Sequence, residues 1–470
     1  MREAAFMAAI TQFDIPASST RPTAPIPPDR RLRLLPAIRR LRNNPITVFA
    51  REAYEAPFLE IGMRKRVVLV SEPEAITHIL VHNVDNYRKS RQQQSRLQPA
   101  LGEGLVTAEG ETWRSARRIA APLFNPKAVG LLFGDMQAAT QDMLDRWDLR
   151  SSTIRPLDMT AEFQRLTYEI VSRTVFSGAL DEDRAAMHAH LAVYFDTVGR
   201  VDLASLFDLP SWWPSIANWR ARPSLALFRS VIDKVVAQRV AGGNPDSADL
   251  LDRLIQAQDP DNSRTLSASA VADNVLTFLV AGHETTANAL AWIIYLLALF
   301  PEVERRVLRE LKEVFADGLV RRELFDRLVL TRAVVSEVLR LYPPAPFMGR
   351  QAIEDDGYAR YPITRGTQVV ISPWIVHRHR ALWSDPDEFR PDRFLEGSEP
   401  PMRGAYIPFG LGPRVCIGQG FAVQEILAVL ATILPRFSFE LVNPGRVFPH
   451  SRITLTPEGG LPAIVRPRPN

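Results

Sequence analysis

The sequence predicts a mainly α-helical protein with a smaller β portion, an α+β chain, and three observations carry that expectation. Between about residues 130 and 340 apolar residues recur three and four apart, as at Val303, Val307, Leu308 and Leu311, the spacing of helices that bury one face. Short apolar or alternating runs lie outside that span. Phe58 to Ile61 and Val67 to Val70 read as a hairpin, and Val369 to Ser372, Phe437 to Leu441 and Ile453 to Thr456 as further strands. The 37 prolines gather in the amino-terminal segment, around Pro343 to Pro346 and from Pro386 to Pro413, which leaves the third quarter of the 470 residues open to long helices. No repeat, low-complexity tract or Gly/Ser linker divides the chain. Residues 1–45 read as a Pro/Arg-rich segment and 46–470 as a single domain.

The first 28 residues carry Pro16, Pro22, Pro25, Pro27 and Pro28 without a basic stretch leading into an apolar one. No secretory signal is expected, and the cytoplasm is the default. The segment Arg30 to Arg42 has the makeup of a membrane-surface helix, although Pro36 interrupts its periodicity. The most membrane-like stretch, Ala287 to Phe300, is shorter than the roughly 18 residues a spanning helix needs, and His283 and Glu284 interrupt it upstream. A buried core helix and no transmembrane segment are expected. With 57 Lys+Arg against 53 Asp+Glu the net charge is +4, no polycation for nucleic acid. The single cysteine, Cys416, excludes an internal disulfide, a Cys-based zinc site, an iron–sulfur cluster held by this chain alone and a CxxC redox pair. His78 and His82 have helical ligand spacing but no third ligand in view.

Pro408 to Gly420 reads PFGLGPRVCIGQG, with glycines at 410, 412, 418 and 420. Such a backbone turns tightly or lies against something flat. It is no dinucleotide fingerprint, because Val415 stands where the third glycine belongs, and no lysine is present for a phosphate loop. The following FAVQEILAVLATIL is helical, so Cys416 sits just ahead of a helix amino terminus, where free N–H groups and the helix dipole are expected to lower a thiol pKa and hold a thiolate. A lone cysteine is commonly buried and inert; the glycines, Phe409 and Arg414 around this one point to chemistry.

The pattern F-x-x-G-x-R-x-C-x-G, read as Phe409, Gly412, Arg414, Cys416 and Gly418, resembles the haem-binding loop of the cytochrome P450 monooxygenases. The resemblance implies the cytochrome P450 fold, with haem b (iron protoporphyrin IX) between a long oxygen-activating helix and the helix after the cysteine loop. It implies Cys416 as the iron ligand, Phe409 beside the sulfur, Arg414 on a haem propionate, Gly418 allowing close approach, and Gly410 and Ile417 as neighbouring contacts. A thiolate on haem iron donates electron density that favours O–O cleavage.

Three further segments match the same family in order. AGHETT (Ala281 to Thr286) lies in a helical run from about Ala270 to Phe300; Ala281 and Gly282 would leave room for dioxygen, and glycine with threonines mid-helix favours a local distortion, since Thr can bond back to a carbonyl one turn earlier. Thr285 resembles the hydroxyl that helps deliver protons, with Glu284 as the neighbouring carboxylate. A zinc-protease reading fails because Ala287 occupies the second histidine position of HExxH. Glu337 and Arg340, three apart in SEVLRLYPP, would alone be a solvated pair worth a few tenths of a kcal/mol. In the family pattern Arg393 of FRPDRF completes a buried Glu-Arg-Arg network with them. Trp113 and Arg117 in GETWRSARR stand one helical turn apart and by resemblance bind a propionate, with Arg350 as another propionate partner.

The resemblance spans about residues 50 to 468 and points to a soluble bacterial-type member, although Glu284 and Arg414 are more similar to the fatty-acid-hydroxylase and microsomal branch. It implies a haem-thiolate monooxygenase inserting one oxygen atom of O₂ into an apolar small molecule, fatty-acid-like or terpenoid. Only about 50 residues follow the cysteine loop, so electrons are expected from a separate ferredoxin- or flavodoxin-type donor with its reductase, and Arg114, Arg118 and Arg403 could offer it a basic patch. The Gln92 to Gly104 loop, Phe278 and Pro346 to Met348 are candidate substrate walls. Two alternatives stay open: a haem-thiolate isomerase or dehydratase acting on a peroxide, and a non-catalytic haem sensor.

Overall fold

A computed structural model describes residues 21–62, 66–150, 155–180, 183–199, 216–242, 249–358 and 361–469. Pro16, within the expected Pro/Arg-rich segment, lies outside the described residues. Six helices carry the argument: α1 Leu34–Asn43, α2 Gly110–Ala120, α3 Met159–Phe176, α4 Ala268–Leu299, α5 Val329–Leu341 and α6 Gln419–Ile433.

The axis of the molecule is α4, about 48 Å long at 1.5 Å per residue. The Ser267 side chain accepts the Ala270 N–H to start it, no proline interrupts it, and Pro301 opens the next helix after Phe300 ends this one. Apolar residues surround α4 because it is packed on all sides; Ala287, Trp292 and Tyr295 are wholly buried. Among the described residues no single helix is long and apolar enough to cross a membrane. Trp292 stacks on Tyr342 with ring centroids 3.9 Å apart, tying α4 to the end of α5. α3 lies along α4, where the Thr167 hydroxyl donates to the His283 carbonyl at 2.7 Å.

The β portion includes a five-stranded sheet of β1 Phe58–Glu60, β2 Val67–Val70, β3 Tyr87–Lys89, β5 Met348–Ala352 and β8 Gln368–Ile371, in the order β1-β2-β8-β5-β3. β2 and β8 are parallel and the other neighbours antiparallel, so the expected β1–β2 hairpin forms. A second sheet joins β4 Leu157–Asp158, β12 Pro462–Pro467 and β9 Phe437–Leu441, and two hairpins pair β6 Asp356–Tyr358 with β7 Tyr361–Ile363 and β10 Pro449–Ser451 with β11 Leu455–Pro457. The strand expected at Ile453 to Thr456 is therefore shifted to β11.

Two expectations need correction. The segment from Gln92 to Gly104 is helical over Arg91–Leu101, capped by the Ser90 hydroxyl accepting the Gln93 N–H; its polar composition hid the helical period. Pro36 does not break α1, because it stands in the first turn, where its missing N–H has no intrahelical acceptor.

Candidate haem pocket

A cavity of about 360 Å³ separates α4 from the cysteine loop and α6. Ala281, Gly282 and Thr285 face it from α4, and Phe409, Gly410, Arg414, Cys416, Ile417 and Gly418 from the loop. Trp113 and Arg117 enter from α2, and Arg350 from β5. Every residue read from the sequence as a haem contact thus lines one space. Glu284, next to Thr285 on α4, does not line it.

The loop is shaped by two glycines. Gly410 and Gly412 hold φ of +78° and +76°, and a Cβ on Gly412 would stand 2.0 Å from the Leu80 carbonyl oxygen. The Cys416 N–H donates to the Phe409 carbonyl at 2.9 Å, closing the turn that presents the sulfur. A Cβ on Gly418 would lie 4.0 Å from that sulfur, an ordinary contact, and the Gly418 N–H donates to it. Cys416 is exposed and lines the cavity. Burial pushes its thiol up, and the Gly418 N–H and the Arg117 guanidinium offset part of that rise. This corrects the expectation of a lowered thiol: desolvation by the surrounding fold outweighs the helix terminus.

Above the sulfur, cations crowd. Lys89 of β3 lies directly opposite Arg350 of β5, and like charges so placed repel. Burial, then Arg414, depresses the Lys89 amine to about 7; the same two causes in the same order bring Arg350 to about 10. Arg414 pairs with Glu109, donates to the Ala108 carbonyl at 3.2 Å and stacks over Trp113 at 4.2 Å from the ring centroid. Lys89 donates to the Leu105 and Ala108 carbonyls at 3.2 and 3.0 Å. Lys89, Arg350 and Arg414 lie around one carboxylate, Glu109, with Arg117 nearer Cys416, and this concentration of basic groups fits a dianionic ligand such as a porphyrin carrying two propionates. Lys89 and Glu109 escaped the sequence reading, since only the β3–β5 pairing brings Lys89 to Arg350.

On the α4 side the Thr285 hydroxyl donates to the Ala281 carbonyl at 2.8 Å, the back-bond its position suggested, while the helix continues unbroken. Burial raises the Glu284 carboxyl to about 7, partly offset by a hydrogen bond from Thr454. Glu284 borders a second cavity of about 260 Å³ lined by polar residues that include Asp158, Gln164, His450, Arg452 and Thr454. The remaining wall of the first cavity is largely apolar, with Val106, Phe124, Val171, Val175 and Phe278 beside Gln93, Thr277 and Thr286, and Phe124 edge-on to Phe278 at 5.1 Å. Of the expected walls, Gln93 of the Gln92 to Gly104 segment, Phe278 and Met348 line it.

Of the three arginines of the expected basic patch two are paired, and Arg403 is exposed. Arg118 is held by Asp259, Glu111 and Asp261, and Arg114 by Asp85 and Glu111. Among the described residues no cluster of His, Cys, Asp and Glu could hold a metal ion; His78 instead pairs with Asp356 at 3.0 Å.

A lone cysteine lining a cavity with basic side chains and a threonine-bearing helix is the arrangement of a haem-thiolate enzyme. The cytochrome P450 family profile matches residues 34–461, and the chain belongs to that family. It is 32% identical over 414 residues to cyclooctatin synthase of Streptomyces melanosporofaciens, covering 87% of this chain and 88% of that protein. Cyclooctat-9-en-7-ol 5-monooxygenase of the same organism is 31% identical over 410 residues, with 86% of each covered. The crystal structure of a cytochrome P450 (CYP102L1) superposes with a TM-score of 0.79 at 28% identity, covering 95% of this chain and 100% of that one. The protein is a cytochrome P450 monooxygenase, which uses haem b, O₂ and reducing equivalents from a redox partner.

Proposed function

We propose that this monooxygenase hydroxylates an apolar small molecule of terpenoid or fatty-acyl type. The observation that carries the reading is the apolar wall of Val106, Phe124, Val171, Val175 and Phe278 beside Ala281 and Thr285. The names of the two bacterial relatives favour the terpenoid class. Residues 46–470 act as one domain, in the cytoplasm, and a separate ferredoxin- or flavodoxin-type donor with its reductase supplies the electrons.

In this reading Cys416 ligates the haem iron through its thiolate, with Phe409, Gly410, Ile417 and Gly418 shaping the approach. Arg117, Arg350, Arg414 and Lys89 hold the propionates, and Trp113 fixes the Arg414 plane by stacking. Bound haem supplies the activation of O₂. Ala281 and Gly282 keep space beside it, and the apolar wall excludes water and orients the substrate C–H bond. Thr285 passes protons inward, and Glu284, facing the polar cavity, holds the proton that replaces each one used.

The reduced carbon monoxide spectrum of purified protein tests the cofactor assignment: a red-shifted Soret band of thiolate-ligated haem is expected, and Cys416→Ala abolishes it. Titration with diterpene alcohols and with fatty acids then tests the substrate class. High-spin shifts with neither class overturn the substrate reading and leave the cofactor reading standing.

A further inference from the structure

The helix α1 buries none of its ten residues. Isolated helices this short are marginal in water, and packing of an apolar face normally sustains them. Here Leu34, Ala37, Ile38 and Leu41 form the stripe; the last three are half-buried, but Leu34 is 51% exposed and Leu35, off the stripe, 78%. The helical repeat sets Leu35 on the outer face between Arg39 and Arg42, four and seven residues on.

Charge along this segment is of one sign. Residues 30–43 contain Arg30, Arg31, Arg33, Arg39, Arg40 and Arg42 and no Asp or Glu. Arg31 is bound to Glu52 at 2.9 Å and Arg40 donates to the Thr47 carbonyl at 3.0 Å. The flanking Asp29 pairs with Arg51 at 3.0 Å. Among the described residues Arg33, Arg39 and Arg42 have no carboxylate partner. Two adjacent leucines projecting among unneutralised guanidinium groups match a surface that is anionic at its face and apolar just beneath, which is the geometry of an acidic lipid headgroup layer.

We propose that α1 is a membrane-surface helix: Leu34 and Leu35 enter the headgroup boundary of an anionic bilayer while Arg33, Arg39 and Arg42 pair with lipid phosphates. The attachment is peripheral, independent of the haem pocket and of the substrate.

Co-sedimentation of the full-length, haem-loaded protein with vesicles of phosphatidylcholine and phosphatidylglycerol at 3:1, against phosphatidylcholine alone, tests this. Binding to the mixed vesicles at low salt is expected, weakened at least tenfold in an Arg39→Glu/Arg42→Glu variant and also in Leu34→Ser/Leu35→Ser. Because α1 buries no residue, both variants should keep the wild-type carbon monoxide spectrum, and a Leu35→Trp reporter should show blue-shifted emission only with mixed vesicles. Equal binding to both vesicle types, or none to either, overturns the proposal. So does full binding by the serine variant with no shift of the tryptophan emission, which would mean adsorption of the arginines to any polyanion.

Discussion

Arg340 places Nε 2.7 Å and Nη2 2.9 Å from the two carboxylate oxygens of Glu337, one turn away on α5, and both side chains are wholly buried. The pair is the centre of a larger assembly. Arg393 reaches Glu337 at 3.1 Å, the Arg390 N–H donates to the same carboxylate at 2.8 Å, and Arg340 also donates to the carbonyls of His377, Pro386 and Glu388. These bonds fasten the segment that precedes the cysteine loop to α5.

Replacing Glu337 by alanine leaves two arginines facing each other without their anion in a buried site, a loss of about 3 to 5 kcal/mol. Arg340→Lys is expected to fail similarly, since an ammonium has three donors where the guanidinium fork makes five bonds. The readouts are thermal melting and the yield of protein with thiolate-ligated haem. A variant that melts within a degree or two of wild type would show the network to be dispensable.

What could be read without coordinates follows how far apart the cooperating residues lie in the chain. The cysteine loop was legible because its glycines, Arg414 and Cys416 are contiguous, and α4 because its residues are apolar all round. The spacing of Glu337 and Arg340 revealed a pair but not its burial, which depends on Arg393 arriving from another segment. Lys89 was invisible, since its role arises from strand register with Arg350. Arg118 was misread for the same reason: its principal partner, Asp259, is 141 residues away. The thiol of Cys416 was misjudged because a local argument from the helix terminus omits the desolvation that the surrounding fold imposes.

Thr285→Ala removes the hydroxyl beside Ala281 and should keep haem content and substrate-induced spin shift while product formed per electron pair falls several-fold, the remainder appearing as peroxide or water. Glu284 acts one step further out. Its carboxyl is raised to about 7 by burial, so the proton-bearing form declines as pH rises through that value, and wild-type coupling should decline with it. Glu284→Gln should be slower at every pH and lack that inflection. Normal coupling in the threonine variant would remove Thr285 from the proton path.

Glu425 of α6 is wholly buried, neither of its carboxylate oxygens has a hydrogen-bond partner among the described residues, and desolvation raises its carboxyl to about 8. In the unfolded chain a glutamate titrates near 4.3. Between these values the folded protein retains a proton that the unfolded chain releases, so the Glu425 contribution to stability falls as pH rises from about 4.5 to 8 and is constant outside that window. Glu425→Gln is neutral throughout and escapes this loss. Relative to wild type the variant should gain stability steadily across the window, by about 2 to 4 kcal/mol at its upper end. Denaturant unfolding at pH 5 and pH 8 measures the difference; a pH-independent offset between the two proteins would mean Glu425 is ionised in the fold.

Gly412 sets the hardest local constraint on the cysteine loop. Its φ of +76° disfavours any side chain, and the space a Cβ needs is occupied by the Leu80 carbonyl oxygen at 2.0 Å, a backbone atom that cannot swing aside as a side chain would. Gly418 has neither problem: its φ is −86°, and its nearest obstacle is the Cys416 sulfur at 4.0 Å. Alanine at 412 should therefore displace the turn that ends in the Cys416 N–H bond to Phe409 and tilt the sulfur, whereas alanine at 418 should be the milder change in the haem-free protein. Expressed side by side, Gly412→Ala should yield mostly protein without the thiolate-type carbon monoxide band and with a melting temperature lowered by several degrees, and Gly418→Ala should lie between it and wild type. The reverse order would place the critical close approach at the sulfur itself instead of at the contact with Leu80.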